Sequence, residues 1–134
     1  DYGGDTYANG VNRKNEDWVI AIRNPIENTE ENSEKYLALI KSTNYAIVTS
    51  GDYERYFTEN GTNYHHIIDA KTGYPSYNSI SATIVHTNSE EADALSTIAF
   101  LMGTNFFTNE NFKYKEAYIL TPEEELFIFT NDNF

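Results

Sequence analysis

Residues 88–103 are the longest stretch of this chain with helix signals at both ends. Asn88 or Ser89 is suited to cap the N-terminus, and acidic side chains follow in the first turn, where the helix dipole favours them. Gly103 stands where such a helix would end. Beyond Ala94 the segment is apolar nearly all round. The pattern therefore predicts a buried helix over residues 90–102.

The remainder of the chain alternates short apolar runs with turn signals, which is typical of β-strands. We predict strands at residues 17–23, 35–41, 45–49, 64–69, 80–86, 117–121 and 126–130. The run at 35–41 is also compatible with a helix, because a brief apolar run does not fix the period. The connection at 105–115 is compatible with a helical stretch around 110–114. Together these patterns predict an α+β fold, an antiparallel sheet of hairpins with one buried helix.

Composition restricts the classes of partner. The 134 residues suffice for one domain with a core, and 9 basic against 21 acidic side chains give a formal net charge of −12. Proteins that bind nucleic acid present clustered Lys and Arg, so a nucleic-acid partner is disfavoured. The chain has no Cys, which excludes disulfides and thiolate metal sites. Its many carboxylates leave oxygen ligands available for a divalent cation.

Residues 49–76 concentrate the small polar and titratable side chains that ligand sites use. A turn at residues 50–52 follows an apolar strand, and a second turn at residues 71–73 precedes Pro75. Glycine permits close approach of a ligand to the backbone, and loops on a rigid scaffold often carry function. The same pattern is equally compatible with two ordinary β-turns.

Two adjacent histidines, His65 and His66, lie in this region. On a strand their side chains point to opposite faces, so only one of them can reach a shared site. An imidazole can take a proton from a hydroxyl, which makes His a natural general base for attack by an alcohol. A His hydrogen-bonded within the sheet surface is an equally good interpretation. His86 has no such companions and is interpreted as structural.

Asp93 and Thr97 lie four residues apart on the predicted helix, which places both side-chain oxygens on one helical face. A carboxylate on a buried helix is unfavourable unless it is paired or binds a cation. Mg²⁺ commonly takes only one or two oxygens from the protein. Glu90, one turn earlier, is a candidate further oxygen. The alternative is that Asp93 is an acid stabilised by the helix dipole, and spacing alone favours this alternative.

The order and spacing of three motifs resemble the C-terminal part of the ApbE family, whose members are FAD:protein FMN transferases. The motifs occupy residues 49–55, 64–75 and 91–97, and the glycine pair at residues 3–4 resembles a glycine-pair segment of the family. The resemblance implies that residues 1–134 are the C-terminal portion of a larger ApbE-type, T-fold-like domain, whose upstream half is absent.

The resemblance also implies an activity, a Mg²⁺-dependent transfer of FMN from FAD to a Thr or Ser hydroxyl of a target flavoprotein, with release of AMP. Asp93 and Thr97 match the metal ligands of the family. His66 matches the position of the base that deprotonates the acceptor hydroxyl. The segments that line the dinucleotide match residues Gly4, Ser50, Gly51, Ile67, Thr72 and Gly73.

The family pattern further implies an extracytoplasmic location, with a membrane reached only through an upstream lipid anchor. Two other functions stay open. A relative in the family cleaves FAD to FMN and AMP with water as the acceptor, and a chain without the upstream half could be a non-catalytic scaffold. This sequence departs from the family pattern at Asp5, where Asn is usual, and at Ala70, where Pro is usual.

Overall fold

A computed structural model of the chain describes residues 5–26, 35–131 and 134. In these ranges the helix α1 spans Ser89–Met102, and a 3₁₀ helix, Gly103–Thr108, follows it directly. The strands are β1 (Thr6–Ala8), β2 (Trp18–Arg23), β3 (Tyr36–Ser42), β4 (Tyr45–Gly51), β5 (Tyr56–Glu59), β6 (Thr62–His65), β7 (Ile68–Asp69), β8 (Tyr74–Pro75), β9 (Ser81–His86), β10 (Glu116–Leu120) and β11 (Leu126–Thr130). Among the described residues, no helix is long and apolar enough to cross a membrane.

Five antiparallel strands form the central sheet, in the order β1-β4-β9-β10-β11. Every residue of β9 is buried, because both faces of the sheet are covered. On one face Ile84 packs in a cluster with Phe100 of α1. On the other face Val85 packs in a cluster with Ile40, which belongs to the separate β2–β3 pair. Successive side chains of a strand point to opposite faces, so β9 contributes to both clusters. The result is three layers.

Two small hairpins, β5–β6 and β7–β8, lie between β4 and β9 in the chain and outside the central sheet. The first turns at Asn60 and Gly61, which both have positive φ (50° and 79°), as a two-residue hairpin turn requires. Because both hairpins are inserted where β4 ends, they stand beside that end of the sheet. The segments that join these hairpins to β4 and to each other form part of the wall of the candidate site described below.

The predicted α+β class is confirmed: the described residues are mostly antiparallel strands with one α-helix. The helix prediction agrees with α1 within one residue at its start. Asn88 is the N-cap, and its side-chain oxygen accepts hydrogen bonds from the N–H groups of Glu90 and Glu91 at 2.8 and 3.1 Å. Gly103 ends the helix with φ of 58°. The local signals at the two ends were therefore sufficient to place this element.

Two sequence predictions of secondary structure are wrong. The strand expected at 64–69 is interrupted, because β6 ends at His65 and the N–H of Ile67 donates to the His65 ring instead of to a neighbouring strand. The helical stretch expected around 110–114 is absent from these residues. There the side chain of Phe112 stacks on the fully buried Phe106, with 4.9 Å between ring centroids. Aromatic packing thus holds this connection without regular backbone structure.

Candidate functional site

A cavity of about 640 Å³ opens where β4 ends, between α1 and the chain leading into the two small hairpins. Residues from β4, from α1 and from the β5–β8 region all line it. Six of the residues singled out from sequence are among them: Ser50, Gly51, His66, Ile67, Asp93 and Thr97. The fold thus brings together residues from three separate motifs.

One stripe of α1 forms a wall of the cavity. Asp93, Thr97 and Leu101 follow one another at four-residue intervals and all line it. Residues at this spacing lie on one helical face. The expectation that Asp93 is buried is wrong, because its side chain is exposed and that of Thr97 is half-buried. The central sheet covers another face of α1, through Ala92, Leu95 and Ala99, and leaves this stripe open to the cavity.

Ser50 joins the end of β4 to this helix. Its hydroxyl lies 2.8 Å from the hydroxyl of Ser96 and 3.3 Å from that of Thr97. Thr97 in turn donates from Oγ1 to the backbone carbonyl of Asp93, at 3.4 Å. These contacts fix the position of the Thr97 hydroxyl. Its oxygen keeps acceptor capacity for a ligand, because donation uses only the hydroxyl hydrogen.

Asp5 places a second carboxylate in the cavity, near that of Asp93. Burial raises the pKa of Asp5 above its ordinary value, the negative charge of Asp93 raises it further, and the backbone N–H of Thr49 opposes the shift. Two carboxylates that repel each other form an environment that a cation would stabilise.

The donor set fits a hard divalent cation. Carboxylate and hydroxyl oxygens are the ligands that Mg²⁺ prefers, and Asp93 and Thr97 offer one of each on the same stripe of α1. Across the described residues, no three His, Cys, Asp or Glu side chains cluster in a way that could hold a metal. A cation at this position would therefore take few protein ligands and complete its shell with water or substrate oxygens, which is usual for Mg²⁺.

His66 stands exposed at the cavity, whereas the side chain of His65 is buried, as the opposite-face prediction requires. Nδ1 of His66 lies 3.3 Å from the carbonyl oxygen of Arg55, and the backbone N–H of His66 donates to the same oxygen at 3.2 Å. A carbonyl oxygen only accepts, so Nδ1 must carry the hydrogen of the neutral ring. Nε2 is then left with a free lone pair, which is the form that a general base needs.

Gly51 allows the aromatic ring of Tyr53 to pack against the backbone at the edge of the cavity. A Cβ atom on Gly51 would lie 2.6 Å from Cε1 of Tyr53, closer than non-bonded carbons approach. Burial raises the pKa of Tyr53 to about 12; the charge of Glu54 adds to the shift and that of Arg23 opposes it. The guanidinium carbon of Arg23 lies 6.0 Å from the centroid of the Tyr53 ring. This packing explains the glycine at the end of β4.

Three of the described residues singled out from the sequence do not line the cavity: Thr72, Gly73 and Glu90. Thr72 and Gly73 form the exposed turn of the β7–β8 hairpin, where the N–H of Gly73 donates to the carbonyl of Asp69 at 2.8 Å. Neither lines the cavity, and their assignment to the dinucleotide stays a prediction. Gly4 lies outside the described residues. Glu90, the candidate further oxygen, is exposed and does not line the cavity.

Sequence reasoning left three charged residues out of the site: Asp5, Glu54 and Arg55. Glu54 and Arg55 directly follow the turn after β4, so the sequence already indicated that they lie close to Ser50. Asp5 directly follows Gly4, which the family resemblance assigned to the dinucleotide, so its neighbourhood was also indicated by the sequence. It reaches the cavity because β1 pairs with β4 in the register that sets Thr6 opposite Ile47.

Comparison with solved structures gives the class of this fold and site. A crystal structure of the ApbE protein from Thermotoga maritima superposes with a TM-score of 0.80 at 32% identity, covering 97% of this chain and 41% of that protein. The flavin transferase ApbE from Vibrio cholerae superposes with a TM-score of 0.74 at 28% identity, covering 100% of this chain and 42% of that protein. The fold therefore puts this chain in the same structural class as the ApbE flavin transferase structures.

The chain belongs to the ApbE family, whose profile matches residues 1–112. The FAD:protein FMN transferase of Haemophilus influenzae is 41% identical over 102 residues, which are 75% of this chain and 29% of that protein. The FAD:protein FMN transferase of Treponema pallidum is 34% identical over an alignment of 112 positions, which covers 77% of this chain and 30% of that protein. The chain thus spans about three tenths of the length of these relatives.

Proposed function

We propose that the gene product carrying this chain transfers FMN from FAD to a Thr or Ser hydroxyl of a target flavoprotein and releases AMP. One observation carries the proposal: His66, with Nε2 free to accept a proton, lines the same cavity as the oxygens of Asp93 and Thr97. The names of the relatives, FAD:protein FMN transferase, support the same reaction.

His66 would act as the general base of the transfer. Nε2 takes the proton of the acceptor hydroxyl while the hydroxyl oxygen attacks the phosphorus of the FMN half of FAD. The new P–O bond replaces the bond between that phosphorus and the bridging oxygen, and this oxygen leaves with AMP. The Arg55 carbonyl would accept a hydrogen bond from Nδ1–H throughout, so the imidazole keeps the tautomer needed for proton abstraction. The same carbonyl oxygen would stabilise the imidazolium cation that forms when Nε2 takes the proton.

Asp93 and Thr97 would hold a Mg²⁺ ion, and Asp5 would add a nearby negative charge. The chemistry that such an ion supplies when bound is neutralisation of charge on the diphosphate and on the departing phosphate. The basic side chain among the cavity-lining residues is Arg55, whose guanidinium is suited to a phosphate oxygen. Ser50, Gly51 and the backbone of Ile67 would line the dinucleotide.

The remaining expectations rest on the family resemblance alone. We propose an extracytoplasmic location for the protein and a target flavoprotein as its macromolecular partner, with a lipid anchor as the route to a membrane. Fractionation of cells that express the full gene product tests the location, and recovery of the protein in the cytoplasmic fraction would contradict it.

The decisive variant is His66→Ala in the full gene product. We expect FAD binding, followed by flavin fluorescence, to change less than threefold, because the imidazole acts on the acceptor. Attachment of FMN to an acceptor protein, measured by flavin fluorescence of the denatured product, should fall by about 10² to 10⁴, the usual contribution of a general base. Tyr56→Ala is a matched control, since its exposed ring lies on the adjoining hairpin and outside the cavity.

Unchanged labelling by His66→Ala would reject the assignment of the base. Incubation of the wild-type protein with FAD and Mg²⁺, with and without the acceptor, separates transfer from hydrolysis. Release of AMP that needs the acceptor supports transfer, whereas equal release of FMN and AMP without it identifies a pyrophosphatase. A wild-type protein that shows no Mg²⁺-dependent binding of FAD would instead be a scaffold.

A further inference from the structure

We propose that His65 is a positioning residue for His66. Its imidazole holds the backbone turn that presents His66 and Ile67 to the cavity, and ties this turn to helix α1. The inference deepens the proposed function, on which its kinetic readout rests, although the contacts that carry it are independent of the reaction. His65 itself does not line the cavity, so it would act through its neighbours.

Both ring nitrogens of His65 are used within the protein. The side chain is 4% exposed, Nε2 lies 2.8 Å from the carbonyl oxygen of Ser76, and Nδ1 lies 3.3 Å from the backbone nitrogen of Ile67. The carbonyl only accepts and the backbone N–H only donates, so Nε2–H donates to Ser76 and Nδ1 accepts from Ile67. This fixed, neutral tautomer leaves His65 no free nitrogen for proton transfer.

These hydrogen bonds occur where the strand pairing stops. β6 ends at His65, and the next strand begins at Ile68. Across the gap the N–H of Ser76 donates to the carbonyl of Ile67 at 3.1 Å, while Nε2 of His65 donates to the carbonyl of Ser76. The ring and this backbone bond therefore hold the residues on both sides of His66. They replace ladder bonds that the turn lacks.

The same imidazole packs against α1. Its ring meets the ring of Phe100 edge-on, with 5.4 Å between centroids and 82° between planes, and meets Tyr77 in a similar way. Phe100 is fully buried and follows Asp93 by seven residues, about two helical turns, so both lie on the same side of α1. His65 thus links the turn that carries His66 to the helix that carries Asp93, in addition to the packing of Ile67 in the core cluster of α1.

Loss of the His65 imidazole should slow the transfer of FMN more than it weakens the binding of FAD. Without the imidazole, the N–H of Ile67 and the carbonyl of Ser76 lose their buried partner, and the turn can shift relative to α1. A displacement of about 1 Å in a catalytic group can lower a rate by about 10²-fold. Affinity for FAD should be less sensitive, because Ile67 is the only one of the cavity residues proposed to line the dinucleotide that belongs to this turn, whereas Ser50, Gly51 and the α1 residues stay in place.

The test compares His65→Phe and His65→Gln in the full gene product. Phe keeps the ring packing but can form neither hydrogen bond, whereas the Gln amide can donate to Ser76 and accept from Ile67. We expect folded His65→Phe to bind FAD within threefold of wild type and to attach FMN about 10- to 100-fold more slowly in single turnovers. His65→Gln should recover at least part of this rate. A folded His65→Phe with the wild-type rate, or an equal loss in FAD affinity, overturns the inference.

Two further measurements keep the outcome decisive. If His65→Phe does not fold, His65→Asn replaces it, because the shorter amide cannot reach both partners; equal rates for Asn and Gln variants overturn the inference. If the wild-type protein attaches no FMN, the proposed function fails, and amide exchange then tests His65. Exchange of the Ile67 N–H should become at least tenfold faster when the ring is replaced by Phe but not by Gln, and equal exchange rejects the positioning role.

Discussion

His65 and His66 are adjacent in the chain and have opposite environments. His65 is enclosed by Phe100 and Tyr77 and uses both ring nitrogens within the protein. His66 is exposed at the cavity and uses only Nδ1, on the carbonyl of Arg55. Strand alternation predicts that the two side chains diverge. Which of them is buried depends on partners distant in sequence.

Gly51 provides a test of side-chain packing at the cavity wall. We expect Gly51→Ala to lower the free energy of unfolding by at most about 1–3 kcal/mol, because the new methyl group collides with the far end of the Tyr53 side chain, which must move aside. Urea denaturation measures the change. In a Tyr53→Leu background the same substitution should be at least twofold less destabilising, since the colliding ring is gone. Equal losses in both backgrounds would show that the ring is not the cause.

Tyr53 also predicts a pH dependence of stability. Its folded pKa, raised by burial to about 12, exceeds the ordinary value of 10.0, so the folded state holds the proton more tightly than the unfolded state. The contribution of protonated Tyr53 to the free energy of unfolding is complete below pH 10 and is lost as pH rises towards 12. By pH 11.5 the wild type should lose about 2 kcal/mol relative to Tyr53→Phe. Urea denaturation of both proteins at pH 8 and 11.5 checks this, and parallel losses would contradict it.

At the scale of the element, α1 serves two purposes with different faces. Ala92, Leu95 and Ala99 pack on the central sheet, while Asp93 and Thr97 face the cavity. The ends of the helix follow from local side-chain and backbone hydrogen bonds, so sequence placed them. The exposure of Asp93 does not follow from local signals. It depends on which side of the helix the neighbouring loops leave open.

The N-cap of α1 gives a prediction for the whole element. Asn88→Ala removes the acceptor of two backbone N–H groups and should lower the free energy of unfolding by about 1 kcal/mol. Thermal or urea unfolding measures the loss. Asn105→Ala is a suitable control, because Asn105 is exposed and lies in the 3₁₀ helix instead of at the cap. If both substitutions have the same effect, capping by Asn88 is not the source of the stability.

At the scale of the molecule, the three layers set the end of β4 beside α1, and the two inserted hairpins complete the cavity. Some parts of this site were predictable from motifs in the sequence, including the stripe of Asp93 and Thr97. Asp5 was not singled out as a site residue, although it follows Gly4, and the pairing of β1 with β4 brings it to the cavity. Thr72 and Gly73 were placed in the site by their motif, but the β7–β8 hairpin holds them in an exposed turn.

The proposed binding of Mg²⁺ would depend on the assembled cavity and should be visible as stabilisation. With a Kd of about 1 mM, 10 mM Mg²⁺ would stabilise the folded state by about 1.4 kcal/mol and raise the Tm by about 3–5 °C. Asp93→Asn should abolish most of this shift. Glu123→Gln removes the same charge from an exposed loop and should retain it. At constant ionic strength, equal shifts for both variants would reject Asp93 as a ligand.

Local patterns in the sequence were sufficient for the α+β class, the caps of α1 and the divergence of the two histidines, because each depends on residues a few positions apart. Long-range packing set the exposure of Asp93 and the entry of Asp5 into the cavity. It combined with the local hydrogen bond from Ile67 to the His65 ring to set the break between β6 and β7. These features depend on contacts between elements far apart in the chain, such as His65 with Phe100 and β1 with β4. A periodicity or a turn signal carries no information about such partners, whereas burial and hydrogen bonding between them determine the site.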